Sequence, residues 1–318
     1  MTRLFLCHIA SLALLTLSAS TTAAEMSVRV EKPDWYKVLS GNSSWYIALD
    51  GEIDVGAAGR VAAALKSAGT DGADVYINSP GGNLLEGMRI GRLIRKANAS
   101  TYIGTLARDT KSNFAGQAGI KRVAGHCYSA CSLAFLGGVY RYATDGDEYG
   151  VHRFSSTASP TSVDLDTGQI VAAAIGAYIR EMDVDPALFT LMVEHGKQNI
   201  RLLSTSELAR LNVANNGREK AEWSLEVVEG GQYLRGVQNT VFGQGKAVLL
   251  CEKGRIYYYS FYQSGNERAK RGDFGFGANH SALNLGQTLV CQSEVLTRVR
   301  SRVPEIGESS FRSLMRFC

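Results

Sequence analysis

Along residues 45–213 short apolar runs alternate with longer stretches in which apolar residues recur every three or four positions. The runs at 45–49, 75–77 and 101–103 predict buried strands, and the second stops at Asn78-Ser79-Pro80-Gly81-Gly82. Residues 61–66 belong to an alanine-rich helical stretch. After the glycine pair, Leu84, Leu85, Met88, Ile90, Leu93 and Ile94 fall on one side of a helix, with Arg89, Arg92, Arg95 and Lys96 opposite. Further helices are predicted over 168–182, over 187–193 behind the cap and first turn of Asp185-Pro186, and over 204–211. In the last of these Ser204 is placed to cap and Glu207 follows three residues on. Residues 109–121 are polar and contain glycine, which predicts a surface insertion. Strands alternating with helices in this way predict an α/β fold, parallel strands joined by helical crossovers.

Beyond residue 214 the texture changes. Residues 223–228, 247–251 and 256–262 read as strands separated by glycine-containing turns, 265–284 as a polar glycine-rich loop and 295–303 as a helix. Residues 215–318 are therefore expected to form a second, β-rich domain of about 100 residues. Its Tyr257, Tyr258, Tyr259, Phe261 and Tyr262 fit ordinary strand composition with one face in a core; a carbohydrate or peptide platform is the alternative.

Length and charge narrow the classes. The 318 residues are 45% hydrophobic and 20% charged, too apolar for a disordered chain and long enough for one large or two medium domains. A net charge of +4 and a pI near 8.7 lack the basic footprint of phosphate-backbone binding, so no nucleic-acid partner is expected. No repeat of solenoid or propeller length is present.

Residues 1–24 read as a secretory signal peptide, with Arg3, an apolar stretch over 4–17, and Thr22-Ala23-Ala24 before Glu25; an uncleaved anchor is the alternative. No second apolar stretch of membrane-spanning length follows. The expectation is a periplasmic or secreted protein with no integral membrane segment after signal cleavage. Without Cys7, the odd set Cys127, Cys131, Cys251, Cys291 and Cys318 remains, and the preferred pair is Cys251–Cys291, each at the end of an apolar run. Cys127 and Cys131 read as two small buried residues, because a four-residue spacing on a helical turn leaves diverging Cβ vectors. With His126 they make at most three metal ligands, and no metal site is expected.

Two segments carry candidate chemistry. In Ser79-Pro80-Gly81-Gly82 a strand passes through a turn into a helix, and two glycines there let backbone amides approach an oxyanion. In residues 125–138 small residues surround Ser129 before an apolar helix, a context that exposes a serine with the next amide free to donate. About twenty residues on, Val151-His152 places a histidine at the end of an expected strand. Nucleophile, base and oxyanion donors together are what acyl transfer needs.

Tyr76 to Gly82 with the following Gly87-Met88, the Gly125–Ser132 segment, Val151-His152 and the opening strand from Trp45 to Asp54 together resemble the Clp-protease proteolytic subunit, within the crotonase-like superfamily. The likeness runs over 45–213 in order and spacing. It implies a Clp-protease-like, crotonase-like repeated ββα core over 25–214. It also implies that Ser129 is the nucleophile, that His152 is its general base, and that Gly82 and Ala130 supply the oxyanion amides. The implied reaction is serine hydrolysis of a peptide or protein substrate through an acyl-enzyme, needing no cofactor, in a chain that assembles with copies of itself through the helix from Gly168. Three departures follow. No aspartate precedes the helix at Ser204, where simple spacing lands on Arg201 and only a register shift offers Asn199; Glu194 or Asp185 would have to reach His152 instead. An insertion over residues 107–122 precedes the nucleophile turn, where it is positioned to cap the site or reshape its groove. The periplasm holds no ATP, so no ATPase partner is expected. The missing aspartate defines the alternative of a catalytically weak or inactive binding scaffold, and acyl-thioester chemistry is a third reading.

Overall fold

The computed structural model describes residues 25–32, 45–69, 73–114, 117–154, 163–196, 198–228, 231–252, 255–263 and 287–290. The chain is mixed α/β. Its first sheet runs in the order β1 (Ser27–Glu31), β2 (Trp45–Asp50), β3 (Ala73–Asn78), β4 (Ser100–Ile103) and β8 (Arg141–Tyr142). Strand β1 is antiparallel to β2 and the others are parallel, as helical crossovers require. Helix α1 (Ala57–Ala68) joins β2 to β3, and α2 (Leu84–Lys96) joins β3 to β4. Along β3 the alternation places Ala73, Val75 and Ile77 toward these helices, in a core with Ile47, Leu49, Val61, Ile90 and Ile94.

The other face of this sheet carries a tyrosine row. Tyr46, Tyr76, Tyr102 and Tyr142 lie on successive strands, with ring centroids 6.0, 4.8 and 4.5 Å apart along the row. Residues 109–121, expected as a surface insertion, lie within a hairpin of β5 (Thr105–Phe114) and β6 (Gln117–Val123). Leu106 and Ile120 on the hairpin pack with Tyr46, Ala48 and Tyr76, and this contact gives the otherwise polar segment its anchor.

A second sheet holds β7 (His126–Tyr128) parallel to β9 (Glu148–Val151), with β10 (Arg201–Leu202) antiparallel on the far side. Helix α3 (Ala130–Phe135) leaves β7 directly and is wholly buried. It packs so closely on α2 that a Cβ on Gly87 would lie 2.5 Å from the Ala130 carbonyl oxygen. Helices α4 (Val163–Glu181), α5 (Ala187–Glu194) and α6 (Thr205–Arg210) follow, α6 behind the capping box that Ser204 and Glu207 predict. Among the described residues no helix is long and apolar enough to cross a membrane.

The third sheet is an antiparallel succession of β11 (Glu222–Val228), β12 (Gly231–Thr240), β13 (Gly243–Glu252), β14 (Arg255–Gln263) and β15 (Gln287–Val290). Strand β12 escapes the sequence pattern because Leu234 is its one deeply buried apolar side chain amid Gln, Arg, Asn and Thr. The expected signal peptide, the loop over 265–284, the helix over 295–303 and the Cys251–Cys291 pair lie outside the described residues or side chains.

One buried cation ties the core to the segment that leads into this third sheet. Arg141 is 1% exposed and donates to the carbonyls of Val213 (2.9 Å), Gly138 (2.8 Å) and Asn212 (2.7 Å). The Asn215 side chain accepts from its amide and donates to the Val139 carbonyl. Burial pushes the Arg141 pKa down to about 10, so the guanidinium stays charged at neutral pH. Arg141→Met leaves these buried carbonyls without their donor. It is expected to lower unfolding free energy on the order of 3 kcal/mol, read from the urea midpoint.

Candidate active site

Strand β3 ends in a turn whose backbone is clamped from two sides. The Ser79 amide donates to the His126 carbonyl (2.8 Å), and the Tyr128 amide donates to the Ser79 carbonyl (3.1 Å), which bonds the first sheet to β7. On the other side the Ile53 amide donates to the Gly81 carbonyl and the Asn83 amide to the Ile53 carbonyl, both at 2.7 Å. Between them Gly81 (φ 110°) and Gly82 (φ 130°) occupy backbone that L side chains rarely adopt. A Cβ on Gly82 would lie 2.3 Å from the Ile53 oxygen. One on Gly81 would lie 2.6 Å from Ser129 Cβ and 3.2 Å from Ser129 Oγ. The turn therefore touches Ser129 directly, through a contact only glycine permits.

Ser129 joins β7 to α3 at φ 58° and ψ −123°, a conformation that costs on the order of 1–3 kcal/mol for a residue with a side chain. Its surroundings over-determine it. The Ser129 amide donates to the Gly150 carbonyl (3.0 Å), and its carbonyl accepts from the Ser132 amide (3.0 Å) and hydroxyl (2.6 Å). Its Oγ has no protein partner among the described residues, and neither do the Gly82 and Ala130 amides. Tyr128 and Gly150 are paired across β7 and β9, so Ser129 and His152 leave adjacent strands one and two residues beyond that pair. Such strands lie about 4.8 Å apart. The four residues singled out in the sequence thus share one end of the second sheet and the turn against it.

His152 is 7% exposed, and its Nδ1 lies 2.9 Å from the Arg153 carbonyl oxygen. A carbonyl only accepts, so Nδ1 is the donor in this bond, and in the neutral tautomer that makes it Nε2 is the ring nitrogen left to accept a proton. The preceding peptide is also held, the Arg153 amide donating to the His195 carbonyl at 2.7 Å. Neither carboxylate considered in the sequence fills this role. Asp185 accepts from the Ala187 amide at the start of α5, and Glu194 has no bond to His152 among the described residues. Arg201 is paired with Glu207, and the Asn199 amide bonds the Gly196 carbonyl. Continuing the β9–β10 register by one residue sets Ile200, not Arg201, across from His152. Sequence gives no sign of a backbone carbonyl as orienting group, since every residue has one.

Two neighbours complete the surroundings. Burial and the bonded Glu148 carboxylate push the Tyr128 hydroxyl up to about 12, so at neutral pH it is a neutral donor and not a base. Cys127 and Cys131 are joined in a disulfide with Cα atoms 5.2 Å apart, overturning the expectation of two unlinked small residues. That expectation put both on one helix. Cys127 instead ends a strand and Cys131 lies in the first turn of α3, and the reversal at Ser129 brings their side chains together. Among the described residues no group of three or more His, Cys, Asp or Glu is arranged to hold a metal ion.

Comparison with protein-family models gives no match, and neither does comparison with curated proteins. What the site can do is therefore argued from its own atoms.

Glu86 holds the helix that begins at this turn. Its carboxylate accepts from the Ala58 amide (2.9 Å) and from Arg89 (2.8 Å), joining the starts of α1 and α2. The Ala58 amide first, and Arg89 with it, hold the Glu86 carboxyl below the ordinary range despite burial. A folded-state pKa below the unfolded value of about 4.3 stabilises the fold above that pH, and the contribution is lost as pH falls through the folded value. Glu86→Gln is therefore expected to lower the urea midpoint at pH 7, with the gap to the native chain closing toward pH 3.

Proposed function

We propose that this chain is a serine hydrolase, a peptidase of the Clp-protease-like type, acting through an acyl-enzyme on Ser129. The observation that carries the reading is the strained elbow at Ser129, its Oγ set against Gly81, on the strand next to that of a histidine whose Nδ1 is engaged by a carbonyl. Strain of this kind persists where surrounding bonds enforce it, and it gathers at reactive residues. In the proposed reaction Ser129 Oγ attacks the substrate carbonyl while His152 Nε2 takes its proton. The Gly82 and Ala130 amides stabilise the oxyanion, and the imidazolium returns the proton to the leaving amine. A water activated by His152 then releases the acyl group. This chemistry calls for no cofactor.

The likeness to the Clp-protease subunit, with its repeated ββα core, is part of the proposal. So is assembly with copies of the same chain through α4, whose Ile170 is 70% exposed. Export to the periplasm or beyond is supported by the apolar leader-like segment and by the Cys127–Cys131 disulfide, which fits an oxidising compartment. There, without ATP, the substrate is a peptide or an already unfolded protein.

One observation favours the second reading, an inactive binding scaffold: His152 has a carbonyl partner where a serine protease has a carboxylate. A carbonyl sets the tautomer but does not neutralise the imidazolium, so a working site of this kind is expected to be slow rather than silent. Labelling of the full chain with a fluorophosphonate separates the two. A hydrolase gives one equivalent of adduct, abolished in Ser129→Ala and slowed at least a hundredfold in His152→Gln. Ile200→Asp, which sets a carboxylate across from His152, is expected to raise the labelling rate by about tenfold. Absence of labelling in the folded native chain from neutral to mildly alkaline pH leaves the scaffold.

A further inference from the structure

The Cys127–Cys131 disulfide brackets Ser129 symmetrically, two residues on either side. Both cysteines are 0% exposed, so the bond lies beneath the elbow while Ser129 remains partly exposed above it. Its two ends belong to different rigid bodies. Cys127 sits in β7, fixed by pairing with Tyr149 of β9 and by the bonds of Ser79 to its two neighbours. Cys131 sits in α3, whose Ala130, Leu133 and Phe135 are 0% exposed in the core. The segment between them is short, and the one residue in it with positive φ is Ser129.

We infer that this disulfide is the positioning element of the nucleophile, holding Ser129 in its reactive conformation, so that reactivity at Ser129 requires the oxidised chain. The inference rests on the hydrolase reading for its consequence in activity, and on geometry alone for its consequence in conformation. Three hydrogen bonds also define the elbow, but each has an alternative partner in water when the segment relaxes. The covalent link does not. Two thiols in place of one bonded pair need more room within a close-packed core. Strand and helix are each fixed by their own contacts, so loss of the link, to two thiols or to two alanines, is taken up by the backbone between them. Reduction is a two-electron exchange with a dithiol. One thiolate of the reductant attacks a protein sulfur to form a mixed disulfide. Its second thiolate closes the reductant's own disulfide, leaving protonated Cys127 and Cys131. In a reducing compartment the chain would hold a relaxed, unreactive elbow, and oxidation after export would assemble the site.

The test compares the full native chain with Cys127→Ala/Cys131→Ala by hydrogen exchange and by fluorophosphonate labelling. Amides over 126–132 are expected to exchange at least tenfold faster in the double variant, while 57–68 and 84–96 keep their native rates. The labelling rate is expected to fall at least tenfold with its pH midpoint unmoved, because the base is untouched. Native exchange over 126–132 in the double variant overturns the inference, as does loss of protection spread evenly through both sheets. If the native chain does not label, the hydrolase reading falls and the exchange measurement still decides this one. If the double variant does not fold, both readouts are taken on the native chain before and after reduction by dithiothreitol. Faster exchange confined to 126–132, reversed on reoxidation, is then expected, and unchanged exchange in the reduced chain overturns the inference.

Discussion

The two hydrogen bonds between Ser79 and β7 are the constraint on which the rest of the site depends. Each sheet has its own strand pairing, but neither contains the candidate site alone. The first supplies a glycine turn and the second supplies a serine and a histidine at the ends of adjacent strands. The Ser79 bonds fix their relative height, and that height puts the Gly81 backbone against Ser129 Oγ. Ser79 is 0% exposed, so these bonds form in a dry environment where an unpaired amide or carbonyl is costly. The buried polar backbone that holds the two sheets together thus also sets the geometry of the candidate site.

Around that junction each group is held by something that does not itself react. Gly82 is clamped by Ile53, α2 starts from Asn83 with its side chain accepting from the Glu86 amide, and His152 bonds the carbonyl of Arg153, whose amide bonds the His195 carbonyl. Preorganisation of this kind lets charge developing in a reaction meet dipoles already aimed at it. The Arg153 carbonyl is a weaker orienting group than a carboxylate, since it brings a dipole where an aspartate brings a full charge.

How much of this could be read from the residues follows from the kind of signal each part leaves. Strands such as 45–50 and 73–78 announce themselves because burial on a parallel sheet demands apolar runs. Ser204 and Glu207 disclose their helix start because capping is local chemistry. Ser129, His152 and the glycine pair stand out as residue types set in turns. Strand β12 and the β5–β6 hairpin leave little trace, since their stability comes from pairing partners and from the tyrosine row, which no local pattern records. The disulfide leaves no sign in the spacing, because helical geometry does not run from Cys127 to Cys131 across the positive φ of Ser129. The orienting carbonyl of Arg153 and the facing position of Ile200 depend on register, which exists only once the strands have met.

What separates a reactive elbow from a merely strained one is whether a covalent acyl intermediate forms on Ser129. Rapid mixing of the full chain with a p-nitrophenyl acyl ester measures this directly, because release of the phenol precedes hydrolysis of the acyl group. An acyl-enzyme mechanism predicts a burst of one equivalent of phenol per chain followed by a slower linear phase, with the burst absent from Ser129→Ala. Linear release from the first turnover, unchanged in Ser129→Ala, would contradict it.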